Sequence, residues 1–202
     1  MKKCIFHIVL LCLVLSGCSV APSVLPSGQY LDWMNDRSNG LVAEKKVGEF
    51  SITAGYRSAD AMALMNTGFY PTPQQWKSAR EQSGNMQYYF VTYRLNNSNQ
   101  DILKYKLSDE NEYFARSNYL SFGIEKDVYV LCGKDSLPCR LHQFTPHYGL
   151  SPKADLVFAF DEPDSLHARD RTLVIEDQLY GLGILQFEFK AKDLQNIPSI
   201  RF

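Results

Sequence analysis

Three histidines lie beyond the first twenty residues: His142, His147 and His167. His142 and His147 are five residues apart across Pro146, and with a carboxylate they would make a zinc site. Neither has a second ligand at the spacing of HExxH or of a zinc knuckle, which favours ordinary polar positions in a strand and a loop. Cys132 or Cys139 with His142 would be a thiol nucleophile and its base. The stretch from Asp161 to Asp170 holds Asp161, Glu162, Asp164 and Asp170, oxygen ligands suited to calcium. Its spacing is not that of a calcium loop, and Arg169 and Arg171 would repel a cation, so a solvated loop is the better reading. The chain has no G-x-S-x-G elbow, no G-x-x-x-x-G-K and no G-x-G-x-x-G. No metal and no cofactor is therefore expected.

Cys132 and Cys139 flank Gly-Lys-Asp-Ser-Leu-Pro, between the apolar runs Val128 to Leu131 and Leu141 to Phe144. This reads as two strands joined by a loop, with a disulfide across the hairpin in an oxidising compartment or two free thiols otherwise. The loop running from Phe144 to Pro152 combines two prolines, a glycine, a histidine and a tyrosine. Its Phe144, His147 and Tyr148 are candidate partner-binding residues.

These residues need a scaffold, and strand signals dominate the chain. Phe50, Ile52, Ala54 and Tyr56 alternate with Ser51, Thr53 and Gly55, the period of a sheet with one buried face. Gln87 to Leu95, Leu120 to Leu131, Leu141 to Phe144, Leu156 to Phe160, Thr172 to Ile175 and Ile184 to Phe189 continue the series. Helices are fewer. Thr72-Pro73-Gln74-Gln75 has a capping hydroxyl, Pro at the first helical position and Gln at the third, which predicts a helix to Ser83 stopped by Gly84. Ser58 to Met65 is a weaker helical turn, and Asp109 with Glu112 would cap a third helix. The expected fold is mainly β: an antiparallel β-sandwich, immunoglobulin-like, with a few short helices inserted near the N-terminal half.

Hydrophobic residues at 45% and aromatics at 13% suffice for a packed core. The formal charge is -1 and becomes about -3 once Lys2 and Lys3 are discounted, so nucleic acid is not an expected partner.

The N-terminus carries an address. Lys2 and Lys3 precede an apolar run from Ile5 to Leu15, too short to span a bilayer and of the length of a secretory signal. Leu15-Ser16-Gly17-Cys18 resembles the lipobox of bacterial lipoproteins, in which the cysteine thiol carries a diacylglycerol and its freed amine a further acyl chain such as palmitate. That resemblance implies a signal peptide over residues 1–17, lipidation of Cys18, a flexible tether over 18–28 and a single β-sandwich domain over 29–202. Cleavage would leave 185 of the 202 residues.

Three stretches, YLDWMNDRSNGLVAEKKVG (30–48), YLSFGIEKDVYVLCGKDSLPCRLHQFTPHYGLSP (119–152) and FEFKAKDLQNIP (187–198), resemble an uncharacterised lipoprotein family of the Bacteroidota. The resemblance implies an outer-membrane lipoprotein. With Asp32 the first acidic residue after Cys18, it implies a domain facing the periplasm. It also implies candidate O-glycosylation at Ser136 and Ser165, in Asp-Ser-Leu motifs expected to lie in loops. The expected function is a non-enzymatic, lipid-anchored binding or scaffolding module that meets the membrane through its lipid and other envelope proteins through its fold. The alternative is a hydrolase or other enzyme acting on an envelope polymer.

Overall fold

The computed structural model describes residues 22–147, 151–163 and 168–202. The chain is mainly β, with 39% strand and 33% helix, and its two larger sheets are antiparallel.

The element order is β1 (Val24–Pro26), α1 (Ser27–Asn35), β2 (Val42–Val47), β3 (Phe50–Arg57), α2 (Ala59–Thr67), α3 (Pro73–Ser83) and β4 (Met86–Leu95). Then follow α4 (Glu110–Phe122), β5 (Val128–Cys132), β6 (Asp135–Pro138), β7 (Leu141–Thr145), β8 (Lys153–Asp161), β9 (Arg171–Asp177), β10 (Gly183–Phe189), α5 (Ala191–Gln195) and β11 (Ser199–Arg201). Five strands form one sheet in the order β2-β3-β4-β8-β7, and four form another in the order β10-β9-β5-β6. β1 and β11 make a short parallel pair, Val24 opposite Ser199 and Pro26 opposite Arg201.

The period-2 pattern of the sequence explains which faces meet. Ile52 and Ala54 of β3, Val91 and Tyr93 of β4, and Leu156 and Phe158 of β8 are buried in the same cluster as Val128 and Val130 of β5 and Leu185, Phe187 and Phe189 of β10. One core therefore serves both sheets, and truncating a side chain such as Phe158 there would cost about 3–5 kcal/mol. Among the described residues no helix is long and apolar enough to cross a membrane.

The helix starts are set by local chemistry. Thr72 Oγ1 accepts from the Gln75 amide at 3.3 Å while Gln75 Oε1 accepts from the Thr72 amide at 2.8 Å, a reciprocal cap. Ser58 Oγ caps α2 by accepting from the Ala61 amide, and Asp109 caps α4 by accepting from the Glu112 amide.

Four expectations are corrected. The stretch from Leu120 to Leu131 is not one strand: α4 runs to Phe122, a 3₁₀ turn covers Ile124–Asp127, and only β5 is extended. Helical spacing wins there because Arg116 and Leu120 face inward together, four residues apart. Residues 24–28, expected within a flexible tether over 18–28, lie in regular elements, since β1 begins at Val24 and α1 at Ser27. Helices are not confined to the N-terminal half: α4 is central, and α5 follows β10 near the C-terminus, at Ala191–Gln195.

The fourth correction concerns the cysteines. Residues between Cys132 and Cys139 are not a loop, because Gly133, at φ 65°, allows a tight turn and Asp135–Pro138 returns as β6 beside β5. In that register Cys132 faces Asp135 and Tyr129 faces Pro138. Cys139 therefore lies beyond Pro138, some four residues along the ladder from Cys132, or roughly 13 Å at strand spacing. A disulfide needs Cα atoms within about 7 Å, and both cysteines are free thiols. Their apolar runs also part company, β5 joining the four-stranded sheet and β7 the five-stranded one.

Candidate functional site

A cleft of about 390 Å³ opens where the start of α2, the end of α3 and the segment from Leu194 to Ser199 meet the ends of both sheets. At its base sits Arg171, the first residue of β9, only 2% exposed. Its Nη2 lies 2.7 Å from Glu162 Oε1, and the Glu162 side chain is 16% exposed. Nη1 donates to Gln87 Oε1 at 3.2 Å and to the Tyr56 hydroxyl at 3.4 Å. The guanidinium carbon stands 5.6 Å from the centre of the Tyr56 ring, within cation–π range. Tyr56 in turn donates toward both Glu162 oxygens at 3.4 Å, and Tyr89 donates to Gln87 Oε1 at 2.8 Å. Arg171 Nε is buried and has no partner.

Each member arrives from a different element. Tyr56 and Tyr89 are inward positions of β3 and β4 and stand opposite each other in the register. Gln87 shares the inward parity of Tyr89 and is fixed by donating Nε2 to the Asp161 carbonyl at 3.0 Å. Glu162 follows β8 directly, and its amide donates to the Asn85 carbonyl at 2.9 Å.

The rim is also paired. Arg80 Nε donates to Asp60 Oδ1 at 2.6 Å and its Nη1 to the Gly84 carbonyl at 2.8 Å, which ties α3 to α2. The Tyr30 hydroxyl lies 3.1 Å from Ser58 Oγ, linking α1 to the cap of α2.

Burial pushes the Tyr56 and Tyr89 hydroxyls well above the ordinary tyrosine range, with Glu162 adding to the shift of Tyr56. Burial likewise raises Tyr30 to about 12. For Arg171 burial acts downward, but the facing Tyr56 and Glu162 oxygens outweigh it and leave the guanidinium more firmly charged. The cleft is thus a fixed set of donors and acceptors whose two cations and two carboxylates compensate one another.

The residues singled out from the sequence lie elsewhere. His142 Nε2 is 3.0 Å from the Ser121 carbonyl and Nδ1 is 3.3 Å from Glu125, so it fastens β7 to α4. His147 Nε2 is 2.8 Å from Asp155 Oδ2. The two imidazoles have separate partners, and among the described residues no group of three or more His, Cys, Asp or Glu could hold a metal ion. Phe144 packs against the core, opposite Leu156, and Tyr148 lies outside the described residues. Ser136 is exposed, but on the edge strand β6 instead of in a loop; Ser165, His167 and Cys18 lie outside the described residues. Cys132 Sγ faces the Asp170 carbonyl at 3.6 Å and Cys139 Sγ the Leu141 carbonyl at 3.2 Å. Burial raises both thiols, Cys139 to about 11, which is unsuited to a nucleophile. Of the acidic stretch, Asp161 pairs with Arg140 and Asp170 with Lys190, so those carboxylates are held by cations of the chain.

The sequence does not single out Arg171 and Glu162: Glu162 falls in the stretch that reads as a solvated loop, and Arg171 reads only as a charge that repels a cation there. The available signal was the position of Arg171 at the mouth of the apolar run Thr172 to Ile175, where burial follows strand formation.

The site belongs to a mainly β protein built of antiparallel sheets, with a self-neutralised polar cleft between helices and sheet ends. No family model matches the chain, and no curated protein or solved structure matches it.

Proposed function

We propose that the chain is a lipid-anchored protein of the bacterial outer membrane, facing the periplasm and similar to lipoproteins of the Bacteroidota, that binds a segment of an envelope partner in the Arg171–Glu162 cleft. The carrying observation is the charge balance of that cleft: Arg171 is paired with Glu162, and Arg80 with Asp60. A neutral ligand with alternating donors and acceptors, such as a peptide backbone, suits such a lining, and about 390 Å³ lies in the range of ligand sites. A hydrolase for an envelope polymer would need a proton donor there, whereas both carboxylates are engaged by arginine.

We read the two sheets as an antiparallel β-sandwich, supported by the single core they share. The immunoglobulin-like form of that reading is the weaker part, because each sheet sets hairpins side by side.

The test is site-specific photo-crosslinking in membranes of the producing cell. A photoreactive residue at Gln195, on the cleft, should give a discrete adduct, and the same residue at Thr53, on the outer face of β3, should not. Equal adducts from both positions, or none from Gln195, would refute cleft binding. Turnover of an envelope polymer that is abolished by Glu162→Gln while the circular dichroism spectrum of the variant stays that of the folded protein would establish the enzymatic alternative instead.

A further inference from the structure

We propose that an aromatic face around the β1–β11 pair rests on the bilayer that holds the lipid of Cys18; the inference rests on the anchoring reading above. Tyr70 is 90% exposed, Phe202 53% and Phe69 44%, large apolar groups that a soluble surface rarely groups together. They are neighbours. Phe202 continues β11, and its ring lies 4.7 Å from that of Trp76 on α3. At the other end of the group, Ser27 Oγ, next to β1, donates to the Phe69 carbonyl at 2.6 Å. Val24, which opens β1, is also exposed.

The occupant follows from where the anchor attaches. Val24, where β1 begins, is six residues after Cys18, and six residues of chain reach at most about 21 Å. A lipidated Cys18 therefore confines the start of β1, and the face around it, to within that distance of the acyl chains. Tryptophan and tyrosine favour the boundary between headgroups and hydrocarbon, and Lys77 and Arg201, both exposed beside the aromatic rings, suit anionic headgroups. The geometry also orients the cleft. On α3, Trp76 belongs to the aromatic face while Arg80 and Gly84 line the cleft, roughly 6 and 12 Å further along the helix axis. The cleft therefore runs from Ser199 of β11, at the aromatic face, to Gly84 at the far end of α3.

The chain has two tryptophans, so Trp33→Phe leaves Trp76 as the sole reporter. The purified lipoprotein carrying this change is reconstituted into phosphatidylcholine/phosphatidylglycerol vesicles, with and without brominated acyl chains, and its flotation is checked with the vesicles. The bromines should lower Trp76 emission about twofold, as for an indole at the interface, and iodide should quench it less than in the vesicle-free protein. Phe69→Ser with Tyr70→Ser should reverse both effects while flotation and the circular dichroism spectrum stay unchanged. Protein that floats with Trp76 still open to iodide overturns the proposal. So does protein that floats with Trp76 shielded from iodide and from the bromines alike, since a protein partner or a second copy then covers the face. Protein that neither floats nor shows acyl mass on Cys18 overturns the anchoring reading as well, and that failure is told apart by the mass spectrum.

Discussion

Substituting Glu162 by Gln should destabilise the fold more than substituting its partner, Arg171, by Met. The two changes remove the same ion pair but leave different charges behind. Glu162→Gln strands a guanidinium that is 2% exposed among neutral groups, with its Nε already lacking a partner. An uncompensated buried charge of this kind costs about 3–5 kcal/mol. Arg171→Met leaves a carboxylate that keeps the Tyr56 hydroxyl as donor and whose side chain is 16% exposed and so partly hydrated, and Gln87 keeps the Tyr89 hydroxyl as donor. That change should cost about 2 kcal/mol. The double substitution removes both charges and should be no worse than Glu162→Gln alone, a coupling of about 2 kcal/mol. Urea unfolding followed by circular dichroism gives all three values, and the largest should lower the melting temperature by about 6–20 °C in a domain of this size. Additive effects, or Glu162→Gln within about 0.5 kcal/mol of the natural protein, would refute the view that the pair neutralises itself at the base of the cleft.

Four further outcomes are expected. Both cysteines should alkylate in unfolded, unreduced protein; in the folded state Cys139, raised to about 11, should react about 100-fold more slowly near pH 8 than an ordinary thiol. Stability should fall between pH 10 and 12, because the Tyr30 hydroxyl ionises at about 10 when unfolded but at about 12 when folded. The stabilisation is complete below pH 10 and its loss amounts to about 3 kcal/mol, so Tyr30→Phe should flatten the alkaline limb of a stability–pH curve. Thr72→Ala, which removes the reciprocal cap of α3, should cost about 1 kcal/mol by chemical denaturation. Cys18→Ser should shift the protein from the membrane to the soluble fraction or leave an unprocessed precursor, read by fractionation and intact mass.

Local signals in the sequence were legible where local chemistry decides the structure. The Thr72–Gln75 box, the Asp109 cap and the alternation from Phe50 to Tyr56 each predict their element because the partners lie within a few residues. Leu120 to Leu131 misled because Phe122, Ile124 and Val128 to Val130 have strand-favouring types, yet the inward stripe of α4 repeats at helical spacing and Gly123 ends it. The segment 133–138 misled in the other direction, since a two-residue turn at Gly133 hides a strand behind Asp, Ser and Pro. The cleft was illegible for a different reason. Tyr56, Gln87, Glu162 and Arg171 are separated by up to 115 positions, and no spacing rule connects them. Only the pairing of β3 with β4 and β8, and the docking of β9 on the other sheet, bring them together.

The parallel ladder of β1 with β11 places the first strand of the domain beside the last. A chain made from its N-terminus has both larger sheets in hand once Phe189 has emerged, but Val24 to Pro26 must wait for Ser199 to Arg201. The order of pairing is therefore staged: the sheets can close early, and the first strand is fastened at the end. A protein cut short by its final four residues would keep its core and lose its clasp, leaving Val24 to Pro26 without a partner strand.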